Sequence, residues 1–524
     1  MRNTCRFWLS IFLLGFATVT VSAQSFRVQC PTTTITHPSS LNDNNAEPAY
    51  TGPTTQATGA NGYLTPTAKV NGAIKCQQIS GGDGYATMGD GTQTYMFSFG
   101  PLSGLAAIAN GEPGTQFPNV FNVPYSGTPQ PGDPATTGSG FTYNGAIGQV
   151  PDADAAAAGL CGGTGQPSCI DGHVDPRQIM DVGVMNGNIP APLMAIDEDD
   201  EFFLTLTNVG MIMRPDLFEQ HTVHFHGYPN ASSFYDGVPD ASVAINIGGS
   251  FTYYYLAPDA GTYFWHCHIT PPEHLQMGMV GQIYVRPRQN RVAAGNSLYT
   301  ALQAQQTDLR TACNPTADIL CTNPLPPSNA VTRAATGNYA YNDGDGSTYY
   351  DVEYPIQIHG FDPNFHFVGM TFNPEGFTDM KDKYFLLNGR SYPDTVTPGA
   401  LQTVSADGVN HFSQPLPTII NITAGQKALL RISDLDVTEY QTLASLGIPM
   451  KVIGYNAKLL RDQAGNNLYY TTNSITLAGG ESLDVILDST GVPAGTYYLY
   501  TPNLDHLSND AENFGGLMTE VHVN

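Results

Sequence analysis

Short runs in which apolar and polar residues alternate recur along the chain, separated by turns rich in Gly, Pro and Asn. A period of two is typical of β-strands with one buried face, and no strong helical period competes with it. Runs of this kind cover residues 92–99, 202–208, 221–227, 250–257, 262–268 and 280–285. A second patterned region extends from about residue 349 to residue 524. The pattern predicts an all-β protein built from antiparallel sandwiches.

The two patterned regions repeat each other in order. Residues 248–266 are echoed by residues 479–500, and HTVHFHG at 221–227 is echoed by QTLASLG at 441–447. The Asn-Gly turn at 186–187 likewise has a counterpart at 388–389. Such internal similarity predicts two sandwich domains of one topology.

Composition changes along the chain suggest the domain boundaries. Residues 24–90 are rich in Thr, Asn and Gly without sustained periodicity, which predicts an extended arm held by one disulfide. The predicted organisation is a signal peptide (1–23), this arm (24–90), a first domain (91–287) with a Gly/Pro/Ala-rich insertion (101–182), a linker (288–345) and a second domain (346–524).

The first residues have the pattern of an export signal. Arg2 and Arg6 flank the start of an apolar run, and Val21-Ser22-Ala23 offers a small-residue cleavage site. The run is too short to cross a bilayer, which takes about 20 apolar residues, and no later segment approaches that length. The sequence therefore predicts a periplasmic or extracellular protein without a membrane span; a retained anchor is the alternative.

The chain is acidic, with a formal net charge of −25. This charge excludes nucleic acid as a partner, because its phosphates would be repelled, and it leaves cationic substrates and metal ions. One acidic run, DEDDE at 197–201, could attract metal cations, although a solvated strand edge is the favoured interpretation.

Seven cysteines remain after Cys5 leaves with the signal. Six of them form close or bracketing pairs and predict three disulfides in an oxidising compartment: Cys30/Cys76, Cys161/Cys169 and Cys313/Cys321. The odd residue, Cys267, lies between two histidines. We therefore predict that Cys267 has a chemical role.

Imidazole, thiolate and thioether groups, which together suit copper, gather in two segments. HTVHFHG supplies His221, His224 and His226; HCHITPPEHLQMGM supplies His266, Cys267, His268, His274, Met277 and Met279. Alternate side chains of a strand share a face, so Cys267 points away from both of its histidine neighbours. This geometry predicts two metal sites on opposite faces of one strand, joined through a single residue.

The two segments resemble those of the multicopper oxidases, the family of laccases and related cupredoxin proteins. The resemblance implies two cupredoxin-like Greek-key domains and a type 1 copper held by His221, Cys267 and His274, with Met279 rather than Met277 as the axial ligand. It also implies ligands for type 2 and type 3 copper, namely His224, His226, His266 and His268. The loop before His274 is two residues longer than in laccases and contains Pro271-Pro272.

The second domain departs from the family pattern. A complete trinuclear cluster in the family uses eight histidines, whereas this chain shows four of that type. The residues opposite the first-domain motifs are Gln441, Ala444, Leu446, Tyr500, Thr501 and Pro502. For His506, in the loop that matches the metal-binding edge, we favour a surface or packing role over that of an additional ligand. Two-domain relatives commonly form trimers with copper between subunits, so the resemblance allows a homotrimer that completes the site.

The resemblance implies a secreted copper oxidase that takes single electrons from a phenol or metal ion at type 1 copper and reduces dioxygen, with His266, Cys267 and His268 as the catalytic residues. A non-catalytic blue-copper electron-transfer or copper-binding protein is one alternative. A nitrite-reductase-like enzyme is another, although His224 occupies the position where such enzymes use Asp. Trp265 either lines the copper site or packs in the core, and Asp236 either lies near the cluster or forms a turn.

Overall fold

The computed structural model describes residues 27–60, 62–123, 145–150, 156–164, 169, 174–227, 232–257, 259–308, 324–369 and 376–524. The predicted signal peptide and the predicted Cys313/Cys321 disulfide lie outside these residues. The disulfides predicted for Cys30–Cys76 and Cys161–Cys169 are confirmed, and Cys267 is a free, buried thiol. Within the described ranges, no helix is long and apolar enough to cross a membrane.

The first sandwich follows a hairpin of β1 (Thr55–Thr58) and β2 (Leu64–Ala68). Its eight strands are β3 (Ile74–Thr87), β4 (Gln93–Pro101), β5 (Met194–Asp197), β6 (Glu201–Gly210), β7 (His224–Phe225), β8 (Ser250–Leu256), β9 (Gly261–His266) and β10 (Val280–Arg286). One sheet has the order β4-β3-β6-β8 and the other β5-β10-β9-β7. Short helices lie between strands: α1 (Leu105–Ala109), α2 (Pro118–Phe121), α3 (Pro176–Gly183) and α4 (Pro271–Gln276).

A linker with α5 (Leu298–Gln305), β11 (Asn338–Tyr339) and β12 (Tyr349–Tyr350) leads to the second sandwich. One of its sheets contains β13 (Val352–Phe361), β14 (Tyr384–Leu387), β18 (Lys427–Asp434), β20 (Met450–Tyr455), β21 (Lys458–Leu459), β22 (Tyr470–Thr472) and β24 (Ser482–Asp488). The other contains β17 (Ile420–Ile422), β19 (Gln441–Leu446), β23 (Ser474–Leu477), β25 (Gly495–Tyr500) and β26 (Met518–Val523). A hairpin of β15 (Leu401–Val404) and β16 (Asn410–Gln414), and helix α6 (Pro363–Gly369), complete this half.

Strand pairing shows that the two sandwiches share one topology. β3 is parallel to β6 and antiparallel to β4, just as β13 is parallel to β18 and antiparallel to β14. On the other sheet, β7 pairs with β9 by placing His224 opposite His266, and β19 pairs with β25 by placing Ala444 opposite Tyr500. The all-β fold and the internal repeat predicted from the sequence are therefore confirmed.

Each sandwich is filled by the alternating apolar positions of its strands. In the first, Phe202, Leu204 and Leu206 of β6 are fully buried and belong to one cluster with Trp265 and Ile283 of the facing sheet. Burying a side chain of this size contributes roughly 1.5–3 kcal/mol. Trp265 therefore has the packing role, with its ring against Phe99 at a centroid distance of 5.1 Å.

The predicted arm ends too late in the chain. Its residues 74–87 form β3, which lies between β4 and β6 inside the first sandwich. The strand lacks apolar alternation because backbone or side chains approach its glycines closely: a Cβ at Gly81 would lie 2.7 Å from the ring of His221, and one at Gly84 would lie 2.5 Å from Gly187 O. Glycine is favoured where neighbouring groups approach so closely.

The acidic run at 197–201 is not a solvated edge. All of its side chains except Asp197 are fully buried or nearly so, and Asp197 is mostly buried. The Arg288 guanidinium lies on Asp199, with Nη2 2.8 Å from Oδ1, and His37 Nδ1 lies 2.7 Å from Glu201. The run therefore joins the N-terminal segment and the linker to the first sandwich, because His37 and Arg288, which are distant in the sequence, contact two of its carboxylates.

Buried polar side chains connect the two sandwiches. Thr262 of β9 donates to Asp484 at 2.6 Å, and Gln282 of β10 donates to Ser433 Oγ at 2.8 Å and to the Arg431 carbonyl at 3.0 Å. All five residues are buried. These bonds fix β9, the strand that leads into Cys267, against the second half of the molecule.

Candidate metal centre

His221, Cys267 and His274 converge in a closed pocket at the end of the first sandwich. Their potential ligand atoms all lie within 4.8 Å of one another, and His274 Nδ1 is 3.2 Å from Cys267 Sγ. Met279 is fully buried. It lies at the same place, since a Cβ added to Gly81 would meet both the His221 ring and the Met279 methyl group. The structure thus brings together the four residues that the sequence predicts for type 1 copper.

The loop between Cys267 and Met279 is held at both ends by backbone hydrogen bonds. Cys267 N donates to Met279 O at 3.1 Å, and Met279 N donates to His274 O at 2.8 Å. Helix α4 occupies the middle of the loop, with Pro271 and Pro272 in its first turn. Proline suits the first turn of a helix, because an N–H at that position would have no acceptor within the helix. The two extra residues of this loop therefore fall in a helical turn that presents His274.

The pocket favours the thiolate of Cys267. Burial by itself would raise the pKa of this thiol, but the positive charge on His274 and hydrogen bonds from His221 and His274 lower it well below its usual value. Burial likewise opposes a charge on His274, yet the thiolate and Glu219 raise the pKa of His274 to about 9. Thiolate is the form of cysteine that binds metals.

Glu219 is a site residue that the sequence did not indicate. Its Oε2 lies 3.7 Å from His274 Nε2, on the side of the imidazole away from Cys267. The same loop exposes two apolar side chains, with Phe218 84% exposed and Ile212 58% exposed. No local motif identifies Glu219, because its role depends on the fold of the 211–221 loop.

The second group of histidines lies on the opposite face of the same strand. His224, His226 and His266 have ligand atoms within 4.8 Å of one another, and His226 Nε2 is 3.0 Å from His266 Nε2. The His268 ring lies beside this group, with centroid distances of 5.0 Å to His224 and 5.4 Å to His266. The structure therefore brings all four predicted cluster histidines together.

Burial disfavours the charged form of three of these imidazoles, those of His224, His226 and His266. Burial lowers the pKa of His226 to about 4, assisted by His224, and burial together with His226 holds the pKa of His266 well below its usual value. His224 Nδ1 lies 2.7 Å from Asp236 O, and His266 Nδ1 lies 2.7 Å from Cys267 O. Donation from Nδ1 leaves the Nε2 lone pair available to a metal.

A cavity of about 550 Å³ opens beside these histidines, between the two sandwiches. His224, His226, Asp236 and Phe264 line it from the first sandwich; Asn456, Gly480 and Ser482 line it from the second. Asp236 Oδ1 is 3.6 Å from His224 Nδ1, which favours the interpretation that this carboxylate belongs to the site. A small molecule in the cavity would contact both an imidazole and a carboxylate.

The second sandwich repeats the backbone bonds of the loop between Cys267 and Met279 with other side chains. Thr501 N donates to Leu517 O at 2.9 Å and Leu517 N donates to His506 O at 3.0 Å, which repeats the bonds among Cys267, Met279 and His274. His506 is buried, stacks on Phe385 and lies 3.1 Å from Gln441 Oε1. The structure thus places His506 in the packing role that the sequence favoured.

In the second sandwich, the strand positions that correspond to the cavity histidines carry no histidine. Ala444, Leu446, Tyr500 and Pro502 occupy the positions equivalent to His224, His226, His266 and His268. Every copy of the chain carries the same residues, so a trimer would not supply the missing ligands from these strands. In the described part of the chain, the two groups above are the only clusters of three or more close donors of these types.

Residues 170–290 match the family model described as multicopper oxidase, and this segment contains both histidine motifs, Cys267 and Met279. This segment of the chain is similar to the multicopper oxidases. The chain is 31% identical over 128 residues to the laccase abr2 of Aspergillus fumigatus, which covers 24% of this chain and 20% of that protein. It is also 34% identical over 119 residues to a copper-containing nitrite reductase of Rhizobium meliloti, which covers 22% of this chain and 28% of the reductase.

Among solved structures, the blue copper oxidase from Nitrosomonas europaea aligns with a TM-score of 0.43 and 21% identity, over 64% of this chain and 78% of that one. The matched part of the chain spans about a fifth of the length of the laccase abr2. The family-model match falls in the first sandwich, where the copper-type donors lie. Two imidazoles, a thiolate and a thioether form the donor set that suits a blue copper, so the pocket fits the metal of the family.

Proposed function

We propose that this protein is a secreted copper oxidase that couples one-electron oxidation of a phenol or metal ion to the reduction of dioxygen. His221, Cys267, His274 and Met279 would hold the copper that accepts electrons, and His224, His226, His266 and His268 would hold copper where dioxygen reacts. Bound copper supplies a centre that gains and loses single electrons.

The observation that carries the proposal is the position of Cys267 between the two groups. Its Sγ lies in the closed pocket, while the adjacent His266 lies in the group beside the cavity. The His266 Nδ1 and the Cys267 carbonyl are 2.7 Å apart, so a covalent and a hydrogen-bonded connection both run from thiolate to imidazole. The buried pocket excludes water from the thiolate, and the cavity admits a small acceptor to the opposite face.

The number of histidines sets the amount of copper that we expect. One closed group and one open group supply donors for about two copper ions per chain, because the second sandwich adds none from its equivalent strands. The disulfides Cys30–Cys76 and Cys161–Cys169 support a location in an oxidising compartment.

His226→Ala tests whether the open group is needed for oxygen reduction. We expect the variant to lose one copper ion per chain and to lower oxygen uptake with a phenol or ferrous ions roughly 100-fold. The visible band of the thiolate-bound copper should persist, because His226 does not contact Cys267. Metal analysis, the visible and spin-resonance spectra, and an oxygen electrode provide the measurements.

Undiminished oxygen uptake by His226→Ala would contradict the proposal. A wild-type protein with the visible band but no oxygen uptake would instead be the non-catalytic electron-transfer protein. The similarity to nitrite reductases and the three converging imidazoles favour nitrite reduction as a second candidate, and turnover of nitrite by the reduced protein would identify it.

Glu219→Gln tests which reductants use the surface over His274. Removing this carboxylate should raise KM for ferrous or manganous ions up to about 5-fold, since a partly exposed charge pair contributes about 1 kcal/mol or less. KM for an uncharged phenol should stay constant, which makes the phenol an internal control. Equal changes for both reductants would show that Glu219 does not select by charge.

A further inference from the structure

Two buried histidines of the second sandwich contact the helix that presents His274. His359 Nε2 lies 3.0 Å from Leu275 O, and His366 Nε2 lies 2.8 Å from Gln276 O. Both imidazoles are almost completely buried. The last carbonyls of a helix lack partners within it. Leu275 O also accepts from Gly278 N at 3.0 Å, and the two histidines add contacts from the other half of the molecule.

The side chain of Gln276 provides a third connection from the same helix. Its Nε2 donates to Asp382 Oδ1 at 2.9 Å, and its Oε1 accepts from the Asp362 backbone N–H at 3.0 Å. Gln276 is fully buried, so both of its polar ends depend on these partners. We call His359, His366, Asp362 and Asp382 the loop clamp.

The clamp also reaches the strand that packs against His274. His366 Nδ1 lies 2.6 Å from the carbonyl of Tyr95 in β4. Two residues further along β4, the ring of Phe97 meets the His274 ring edge-on, with a centroid distance of 5.1 Å. One imidazole of the second sandwich therefore contacts both the backbone of the donor loop and the strand beneath its histidine.

We propose that the second sandwich acts as a clamp on the metal-binding loop, with His359 and His366 as positioning residues of the type 1 copper site. The inference rests on the proposed function, since it assumes copper at Cys267. Backbone bonds within the loop, such as Met279 N to His274 O, fix its own turns, and the clamp holds the end of helix α4 against β4 and the second half of the molecule. A sandwich without copper ligands of its own would thereby determine the geometry of the centre in its neighbour.

Substitution of the two histidines tests the clamp in the full-length protein. In His359→Leu and His366→Leu the donor is lost while bulk is kept, and we expect copper affinity at the thiolate site to fall roughly 10-fold. The visible band and the copper hyperfine splitting should shift at the same time. His359→Gln and His366→Gln carry an amide N–H that can reach the position of Nε2, so these variants should restore most of the wild-type spectrum.

His411→Leu is the matched control. His411 is also buried in the second sandwich, but it bonds Asp407 in the β15–β16 hairpin rather than the loop. We expect this variant to lower thermal stability without moving the visible band. A simple packing role for His359 and His366 would give all three leucine variants the same result.

The outcomes separate the two proposals. A wild-type protein that binds copper without a visible thiolate band would overturn the proposed function, whatever the variants do. A wild-type band that stays unchanged in both leucine variants would overturn the clamp alone. If those variants do not fold, Gln276→Met removes only the side-chain connection; it should shift the band in the same direction by a smaller amount, and an unchanged band would again overturn the clamp.

Discussion

Cys267→Ser is expected to abolish the visible absorption of the copper protein and to lower oxidase turnover by more than about 100-fold, beyond the loss typical of an outer-sphere partner. The thiolate is the one strong sulfur donor in the closed pocket, and serine at this position stays protonated and binds copper weakly. The change also removes the thiolate that lies one residue from His266 of the open group. Visible spectroscopy, copper analysis and oxygen uptake measure the three consequences.

Met277→Leu is the matched control for this prediction. Met277 is a fully buried sulfur residue of the same loop, but Met279 is the residue that lies beside His221. The control should keep both the colour and the turnover. Colour and turnover that survive in Cys267→Ser would refute the assignment of the thiolate, and loss of both in Met277→Leu would show that the loop tolerates no change.

Arg288→Met is expected to lower the free energy of unfolding by about 3–5 kcal/mol, because it leaves a buried carboxylate without its main partner. The guanidinium and Asp199 are each about 98% buried or more and bond through two nitrogens. Arg291 approaches the same carboxylate only to 3.6 Å. Chemical denaturation followed by fluorescence and circular dichroism measures the change.

Lys427→Met serves as the control for Arg288. Lys427 and Asp488 form an ion pair at 3.2 Å whose side chains are 38% and 43% exposed, so its removal should cost less than about 1 kcal/mol. A loss of stability in Arg288→Met no larger than in this control would refute the structural role of the buried acidic run.

Local pattern predicted the strands and the donors, because each depends on neighbours in the sequence. The spacing of His224 and His226, and of His266 and His268, places each pair on one face of a strand, and the structure brings both pairs together. The repeat predicted from QTLASLG was correct in register, since Ala444 pairs with Tyr500 as His224 pairs with His266. The period of the apolar positions and the spacing of the histidines are therefore sufficient to predict the strands and the faces on which the donors lie.

Features that depend on tertiary contacts were missed or misread. β3 shows no alternation because its glycines accommodate His221 and Gly187. From the sequence alone, the acidic run resembles a solvated strand edge, because only the fold places Arg288 against Asp199. No local pattern identifies His359 and His366, because the loop carbonyls that they contact lie more than 80 residues earlier in the chain.

The loop around Thr501 in the second sandwich indicates how the metal enters the first sandwich. There, backbone hydrogen bonds from Thr501 and Leu517 close the loop although no thiol is present. Loop closure is therefore a property of the polypeptide and needs no ion as a template. The copper-free protein should already hold its donors in place, so that uptake of the ion exchanges a proton for a metal without any refolding.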